Sequence, residues 1–253
     1  MSVSNTNEPV LEVRNIVKAF GSVQANRGIS FDVYKGEILG VIGPNGCGKS
    51  TLFNCILGQL KPDSGTVKLC EQDVTGQPPP KLSKAGLGRT FQLLQVFDSM
   101  RVPDNLLTSV QAHVASVVSS LFRSPDLGMK AQVETVIESF RLEHVARQEA
   151  AKLSYGQQKL LDIAMGFMAG PQIVFLDEPA GGVNLSMLAS VKERILELNQ
   201  NHGVTFVIIE HNMEFIFEIA HRILVLADGQ VLMTGTADEV RRDPRVIEAY
   251  LGR

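Results

Sequence analysis

The sequence predicts an α/β fold in which a mostly parallel sheet is covered by helices. Short apolar runs, typical of buried strands, alternate with helical segments at both ends of the chain, and this alternation favours a parallel sheet. A glycine-rich segment, residues 43–50, stands directly between one of these strands and a helix. The middle of the chain is mainly helical, so we expect a helical subdomain inserted into the sheet-forming part.

Sequence patterns in the first third of the chain predict four strands and one helix. Residues 10–13 and 29–33 alternate apolar and polar side chains, as expected for strands with one buried face. Residues 38–42 are continuously apolar, which suits a strand covered on both faces. A helix follows the glycine-rich segment and ends at Gly58, and residues 66–69 predict a further strand after a turn.

The middle of the chain begins after three consecutive prolines at 78–80, which we expect to form a stiff break. Beyond them the sequence is mostly helical. One apolar stripe at helical spacing consists of Val133, Val136, Ile137 and Phe140.

Strand-like runs return in the last third, at residues 173–176, 204–209 and 223–226. Two helix starts follow them near the C-terminus. Residues 236–239, Thr-Ala-Asp-Glu, fit a capping box, and Pro244 suits the first position of a second helix.

Composition and charge bound the function. The 253 residues are 44% hydrophobic, enough for one domain with a substantial core. Lys and Arg number 24 against 27 Asp and Glu, which leaves a formal net charge of −3. Proteins that bind nucleic acid over much of their surface usually have a basic excess. We therefore expect no nucleic-acid partner.

The sequence also indicates a reduced, cytoplasmic compartment. Residues 1–9 lack the basic and apolar regions of a secretory signal. No uncharged apolar stretch approaches the roughly 18–20 residues that a membrane span needs. Cys47, Cys55 and Cys70 lack the spacing of metal ligands, and we expect each to be a small buried side chain.

The strongest functional signal is a G-x-x-x-x-G-K-S motif between a buried strand and a helix. In such a loop consecutive backbone N–H groups turn inward and hold the phosphates of a nucleotide, while the next helix presents its positive end to them. We expect Lys49 to reach the β- and γ-phosphates and Ser50 to bind Mg²⁺. The residues assigned to ATP binding here are Gly43, Pro44, Asn45, Gly46, Cys47, Gly48, Lys49, Ser50 and Thr51.

Two carboxylates follow the apolar run 173–176. In a parallel sheet, side chains at the C-terminal ends of strands project into the crevice where ligands bind. We expect Asp177 to hold Mg²⁺, directly or through water, and Glu178 to polarise the attacking water as a general base. Alone, the pair could be a solvated turn, but the upstream phosphate loop favours a hydrolytic site.

At residues 153–158 the sequence Leu-Ser-Tyr-Gly-Gln-Gln resembles the signature motif of the ATP-binding cassette (ABC) ATPases. The resemblance implies a P-loop NTPase core with an N-terminal antiparallel β part and an inserted helical subdomain. In this family the signature segment grips the γ-phosphate of ATP bound to a second cassette. It implies that role for Ser154, Tyr155, Gly156 and Gln157, although Tyr155 stands where the family usually has glycine.

Four more residues match elements of the family. Phe20 stands where an aromatic ring stacks on adenine, and Gln92 matches the glutamine that contacts Mg²⁺ and the attacking water. His211 resembles the switch histidine that contacts the γ-phosphate. Asn184 stands where the loop that joins the two sites usually has aspartate. The resemblance thus implies catalytic roles for Glu178, His211 and Gln92.

The resemblance extends from about Leu11 to Gly252. Within the family, the chain is similar to one of the two ATPases of high-affinity branched-chain amino-acid importers. Residues 88–92, 209–214 and 243–252 carry this finer similarity, together with the signature segment. It implies a single ABC ATPase domain over residues 1–253. The core would span about 10–92 and 168–235, the helical subdomain about 93–167, and a short C-terminal helical tail about 236–253.

The resemblance implies an ATP-hydrolysing subunit that energises an importer of branched-chain amino acids or a related small polar solute. It implies a peripheral location at the cytoplasmic face of the inner membrane. The implied partners are two multi-span permease subunits, a second homologous ATPase subunit in a hetero- or homodimer and, indirectly, a periplasmic or extracellular solute-binding protein.

Other functions remain open at this point. The same motifs would serve an ATPase subunit of another ABC transporter, such as a lipid or lipopolysaccharide exporter. A non-transport ABC protein that acts on DNA or ribosomes generally needs two cassettes or a long coiled-coil insertion, which 253 residues do not accommodate. A simple P-loop kinase would not explain the signature segment or His211.

Overall fold

Two sheets and the helices around them form the part of the chain that this computed structural model describes, residues 8–89, 96–111, 127–182 and 184–251. The strands are β1 (Pro9–Phe20), β2 (Val23–Tyr34), β3 (Ile38–Ile42), β4 (Ser64–Leu69), β5 (Gln72–Asp73), β6 (Leu87–Arg89), β7 (Ile173–Asp177), β8 (Thr205–Ile209), β9 (Arg222–Ala227) and β10 (Gln230–Gly235). The helices are α1 (Lys49–Ile56), α2 (Pro79–Lys84), α3 (Val102–Gln111), α4 (Leu127–Ser139), α5 (Tyr155–Phe167), α6 (Leu185–His202), α7 (Met213–Ile219), α8 (Ala237–Arg242) and α9 (Pro244–Leu251), with 3₁₀ turns at Glu143–Val145 and Ala150–Lys152.

The main sheet has the strand order β10-β9-β3-β8-β7-β6. The pairings β9–β3, β3–β8, β8–β7 and β7–β6 are parallel, and β10 pairs with β9 in the antiparallel sense. Strands β3, β7 and β8 are buried along their whole length, because helices cover both faces of a parallel sheet. The predicted α/β class with a mostly parallel sheet is confirmed.

The second sheet is antiparallel and has the order β2-β1-β4-β5. Its two long strands, β1 and β2, extend well beyond the predicted residues 10–13 and 29–33. The pairing of β1 with β2 shifts register between Val13 and Ile16, and Asn15 has a φ of 51°. This irregularity interrupts the apolar–polar alternation, which is why the sequence pattern ended too early.

The proline-rich segment differs from the prediction. Helix α2 begins at Pro79, directly within the expected stiff break. Proline at the first positions of a helix lacks only an N–H that would have no helical partner there, so consecutive prolines can open a helix.

The helical middle is built around the predicted apolar stripe. Val133, Val136 and Ile137 are buried on one side of α4, and Phe140 directly after the helix joins them in a cluster shared with α3 and α5. The ring of Phe140 meets that of Phe167 edge to face, with centroids 5.2 Å apart.

Two smaller expectations can be compared with the structure. Cys47 and Cys55 are buried as expected, but Cys70 is exposed, because it lies in the tight turn between β4 and β5 with a φ of 45°. The capping box at Thr236 and Glu239 forms as predicted. None of the helices within the described ranges is long and apolar enough to cross a membrane.

Candidate nucleotide-binding and hydrolysis site

The glycine-rich loop leaves the main sheet at the end of β3, between β9 and β8. Gly48 precedes α1 with a φ of 98°, and a Cβ atom there would lie 2.2 Å from the carbonyl oxygen of Ala25. A Cβ at Gly43 would lie 2.2 Å from the carbonyl oxygen of Leu226. Both positions therefore require glycine, because β2 and β9 hold the loop from its two sides.

Lys49 lies against the loop that it follows in sequence. Its buried ammonium donates to the carbonyl oxygens of Gly43 and Pro44, at 2.7 and 3.0 Å. The Cys47 sulfur lies 3.7 Å from the same Nζ. Burial raises the pKa of the Cys47 thiol, and the nearby ammonium offsets only part of that rise. The loop thus holds one positive charge and no thiolate at its centre.

The N-terminus of α1 lacks the caps that other helices of this chain carry. No side chain caps it, and its first turn contains no acidic residue. By contrast, Ser154, Asn184 and Asn212 each accept a hydrogen bond from the first turn of the helix that they precede. The first N–H groups and the helix dipole at α1 are therefore directed at an anion, with Ser50 and Thr51 in the same turn.

Asp177 and Glu178 stand at the end of β7, two strands away from β3 in the sheet. Asp177 is buried and pairs in register with Ile209 at the end of β8. Glu178 has a φ of 52°, and its N–H donates to the carbonyl oxygen of Ile209 at 2.9 Å. This backbone conformation is uncommon for a residue with a side chain, and such strain is often found at functional sites.

The side chain of Glu178 contacts His211. Glu178 Oε1 lies 2.9 Å from His211 Nε2, and both side chains are partly exposed. Because β7 and β8 are parallel neighbours, the residues that follow each strand meet at the same edge of the sheet.

Sequence reasoning missed Glu210, which lies directly before His211. Its carboxylate is buried and accepts three backbone hydrogen bonds, from Ala180, His211 and Asn212. A charged residue directly after a fully apolar strand was the available signal, because such a residue must find partners wherever it becomes buried.

The signature segment begins helix α5. Ser154 Oγ accepts from the Gln157 N–H at 3.3 Å, and Gln157 Oε1 accepts from the Ser154 N–H at 2.9 Å, which forms a capping box. Tyr155 is 43% exposed, and its hydroxyl lies near Gly181, beside the turn that follows Glu178. A Cβ at Gly156 would lie 2.6 Å from Met187 Cε of α6.

The remaining predicted residues lie around this centre. Asn184 caps α6 by accepting from the Met187 N–H at 3.0 Å. Phe20 is 50% exposed at the tip of the β1–β2 hairpin, where it pairs with Val23. Further along β2, the Asn26 amide donates to the Gly48 carbonyl at 3.0 Å, so this hairpin adjoins the phosphate loop. Gln92 lies outside the described residues.

The structure thus brings the phosphate loop, Asp177, Glu178 and His211 to the C-terminal edge of one sheet. The signature segment lies beside the turn after Glu178, and the hairpin that carries Phe20 contacts the loop through Asn26. This arrangement suits a bound nucleoside triphosphate and an activated water.

Comparison with known proteins agrees with this site. A family model described as "ABC transporter" matches residues 26–181, and one described as "Branched-chain amino acid ATP-binding cassette transporter" matches residues 230–253. The chain is 37% identical to the high-affinity branched-chain amino acid transport ATP-binding protein LivG of Escherichia coli (strain K12), over 97% of this chain and 99% of that protein. It is 35% identical to the corresponding protein BraF of Pseudomonas aeruginosa, over the same shares.

A solved structure has the same fold. The ADP conformation of an ATP-binding cassette of an ABC transporter is 35% identical, with a TM-score of 0.89 over 97% of this chain and 100% of that one. The similarity therefore spans the sheet, the helical middle and the C-terminal helices alike. The chain belongs to the family of ABC transporter ATP-binding proteins, and it binds and hydrolyses ATP as the energising subunit of a transporter.

Proposed function

We propose that this chain energises an importer of branched-chain amino acids or a related small polar solute. The observation that carries the proposal is the full-length similarity to LivG and BraF, whose names state this transport. The match of residues 230–253 to the branched-chain subfamily model supports it independently of the phosphate loop.

Mg²⁺ fits the donor set that the chain presents. The ion prefers hard oxygen ligands and usually binds through one or two protein groups and the phosphates of its nucleotide. Asp177 supplies a carboxylate at the end of a buried strand, and Ser50 supplies a hydroxyl in the first turn of α1. Gln92 is the third proposed ligand. The bound ion would neutralise charge on the β- and γ-phosphates.

In the proposed reaction Glu178 accepts a proton from water as the water oxygen bonds to the γ-phosphorus. The bond between that phosphorus and the β–γ bridging oxygen breaks, so ADP leaves with the electron pair. Lys49 offsets the charge on the phosphate oxygens. His211 Nε2 lies 2.9 Å from the Glu178 carboxylate and orients it. The proposed contact of His211 with the γ-phosphate would take the place of this contact once ATP is bound.

The proposed assembly contains two cassettes and two multi-span permease subunits at the cytoplasmic face of the inner membrane. The exposed Tyr155 and the N-terminus of α5 would face ATP held by a second homologous ATPase subunit, with Asn184 between the two sites. A periplasmic or extracellular solute-binding protein would act indirectly. We also propose the division into a core of about 10–92 and 168–235, a helical subdomain of about 93–167 and a tail of about 236–253.

Co-purification tests this assembly. The chain is tagged in its native cells, the membranes are solubilised gently, and the recovered proteins are identified. We expect two multi-span membrane proteins and a second cassette. Recovery of ribosomes, nucleic acid or no partner would contradict the transport function. Recovery of a lipid-export apparatus would show that the chain serves an exporter and not an importer.

Uptake by the recovered complex tests the solute. In liposomes that contain ATP, we expect uptake of radiolabelled leucine once the solute-binding protein is added. The complex with Glu178→Gln is the matched control, because it should assemble normally without turnover. Equal uptake by the two complexes would contradict coupling to hydrolysis.

A further inference from the structure

Glu210 is a buried carboxylate at the point where β8 ends. Its side chain is 3% exposed. Glu210 Oε1 accepts a hydrogen bond from the Ala180 N–H at 2.5 Å. Glu210 Oε2 accepts from the N–H groups of His211 and Asn212, at 3.0 and 3.1 Å. Each carboxylate oxygen thus serves a different segment of the chain.

The ionised form of the Glu210 carboxylate is destabilised by burial at this position. Burial raises the pKa of Glu210, and the nearby Glu178 carboxylate raises it further, while the three backbone N–H groups lower it in part. Helix capping does not account for this carboxylate, because Asn212 already caps α7 by accepting from the Phe215 N–H at 3.1 Å. A buried charge that no helix terminus needs indicates a different role.

The two segments that Glu210 joins carry Glu178 and His211, the two side chains that meet in the proposed hydrolytic site. Glu178 begins the turn of residues 178–181. The Gly181 N–H closes this turn by donating to the Glu178 carbonyl oxygen at 2.9 Å. The turn after β8 places His211. Their side chains meet at 2.9 Å beyond the last paired residues, Asp177 and Ile209. One further backbone hydrogen bond, from the Glu178 N–H to the Ile209 carbonyl oxygen, joins the strands there, and Glu210 joins the segments that follow.

We propose that Glu210 is a positioning residue for ATP hydrolysis. Its carboxylate links the turn after Glu178 to the backbone of His211 and so keeps the side chains of Glu178 and His211 in contact. The inference rests on the roles of Glu178 and His211 in the proposed function. Glu210 acts through these two residues and touches no substrate atom itself.

Two substitutions distinguish the link between the two segments from the charge and size of the Glu210 side chain. Glu210→Gln retains the size of the side chain but has a single oxygen, so its NH₂ group must face either the Ala180 N–H or the other two donors. Glu210→Asp keeps the charge. An aspartate can still accept from the N–H groups one and two residues ahead, but it is too short to reach Ala180 as well.

Glu37 offers a matched control at the opposite edge of the sheet. It is a buried glutamate directly before β3, and its carboxylate accepts hydrogen bonds from the Tyr34 N–H at 2.9 Å and from Arg222 Nη2 at 3.1 Å. Arg222 Nε forms an ion pair with the same carboxylate at 2.8 Å. Glu37→Gln therefore disturbs a comparable buried carboxylate far along the strands from the hydrolytic site.

The test compares ATP turnover, ATP affinity and melting temperature for these variants within the full transporter complex. For both Glu210 variants we expect kcat to fall about tenfold to hundredfold, as a small misplacement of catalytic groups does, with the ATP dissociation constant within about twofold. Glu37→Gln should lower the melting temperature and leave kcat unchanged. A purely structural Glu210 would behave like Glu37, and that result would overturn the inference.

Glu178→Gln, measured alongside, separates the inference from the proposed function. Loss of turnover in Glu178→Gln together with normal kcat in both Glu210 variants would overturn the positioning role alone. Substantial turnover in Glu178→Gln would instead overturn the assignment of the base, and the inference with it. If Glu210→Gln does not fold, Glu210→Asp still decides the question, because it retains the charge and two of the three hydrogen bonds.

Discussion

Lys49 and Glu178 are each held by contacts within the protein that a bound nucleotide must compete with. The Lys49 ammonium donates to two carbonyl oxygens of the loop, and Glu178 contacts His211. Phosphate oxygens are stronger acceptors for an ammonium than neutral carbonyls are, because the two partners then carry opposite charges. The loop therefore keeps Lys49 in place for phosphates without satisfying its charge fully.

Lys49→Ala should weaken ATP binding. One charge-assisted contact contributes about 1.5–3 kcal/mol, which corresponds to a roughly ten- to hundredfold higher dissociation constant. Calorimetric titration measures the change, and Lys35→Ala is the control, because Lys35 is exposed at the other end of β3. An affinity equal to that of the unmodified chain would remove Lys49 from the phosphate site.

Phe20→Ala should weaken ATP binding through the base alone. Stacking of a base on an aromatic ring contributes about 1–3 kcal/mol, and the ring is 50% exposed, so little core packing is lost with it. We expect a higher dissociation constant for ATP and an unchanged one for inorganic triphosphate. Equal effects on both ligands would show that the hairpin positions the phosphate loop instead.

At the scale of elements, the N-termini of α1 and α6 differ in capping. Helix α1 has no side-chain cap, whereas Asn184 caps α6. The family's usual aspartate at position 184 would cap the helix equally well, because both side chains offer an oxygen to the first turn. The asparagine therefore keeps the local structure while it omits a charge.

Asn184→Ala should lower the free energy of unfolding by about 0.5–2 kcal/mol, the usual contribution of such a cap. Asn184→Asp should retain that stability, since it keeps the acceptor and places a negative charge at a helix N-terminus. Denaturant titration measures both variants. Equal loss in the two would show that the amide group, and not the cap, is what stabilises this segment.

Helix α9 brings the C-terminus back to the phosphate loop. Tyr250 packs against the main core, and its hydroxyl forms a hydrogen bond with the backbone of Gly43. Burial raises the pKa of Tyr250 to about 12, an effect that the hydrogen bond reduces in part. The last helix thus supports the loop at its first glycine.

Alkaline titration should show one tyrosine that ionises late. The folded protein keeps the Tyr250 proton between the ordinary pKa of 10.0 and about 12, whereas the unfolded chain loses it, so this contribution to stability is complete below pH 10.0 and is lost as the pH rises to about 12. The difference in phenolate absorbance between the unmodified chain and Tyr250→Phe isolates this group. A midpoint near 10.0 would show that the hydroxyl is not buried at the loop.

At the scale of the whole molecule, structural and functional residues occupy different parts of the main sheet. Its two faces are covered by separate apolar clusters, one shared with the helical middle and one with the antiparallel sheet. Of the predicted catalytic residues, Glu178 and His211 lie at its C-terminal edge, as the topology of parallel sheets favours. The signature segment lies on a helix of the middle part, and under the proposed function it would contact the nucleotide of a second cassette.

Glu178→Gln should accumulate as an ATP-dependent assembly of two cassettes. The variant keeps the phosphate loop but lacks the base, so a pair closed around ATP does not reopen by hydrolysis. Size-exclusion chromatography, alone and with the second cassette recovered by co-purification, should show a shift with ATP and none with ADP. Adding Lys49→Ala should abolish the shift, and an elution volume independent of nucleotide would contradict the shared site.

The buried strands, the glycine-rich loop and the apolar stripe of α4 were predictable, because each is encoded in a short stretch of sequence. A strand covered on both faces is apolar where it is covered, as β3 and residues 173–176 of β7 are. The loop needs glycine where β2 and β9 approach it. The ends of β1 and β2 were not predictable, because register shifts interrupt their alternation.

The sequence by itself determined the fold class, the glycine-rich loop with Lys49, and the strand end that carries Asp177 and Glu178, because local pattern decides backbone conformation. His211 was found through the resemblance to a known family. Only the tertiary structure decided that Glu210 joins the Ala180 turn to His211. That contact spans 30 residues of sequence and exists because β7 and β8 are neighbours. Strand order is a property of the whole packed sheet, and no segment of the sequence encodes it alone.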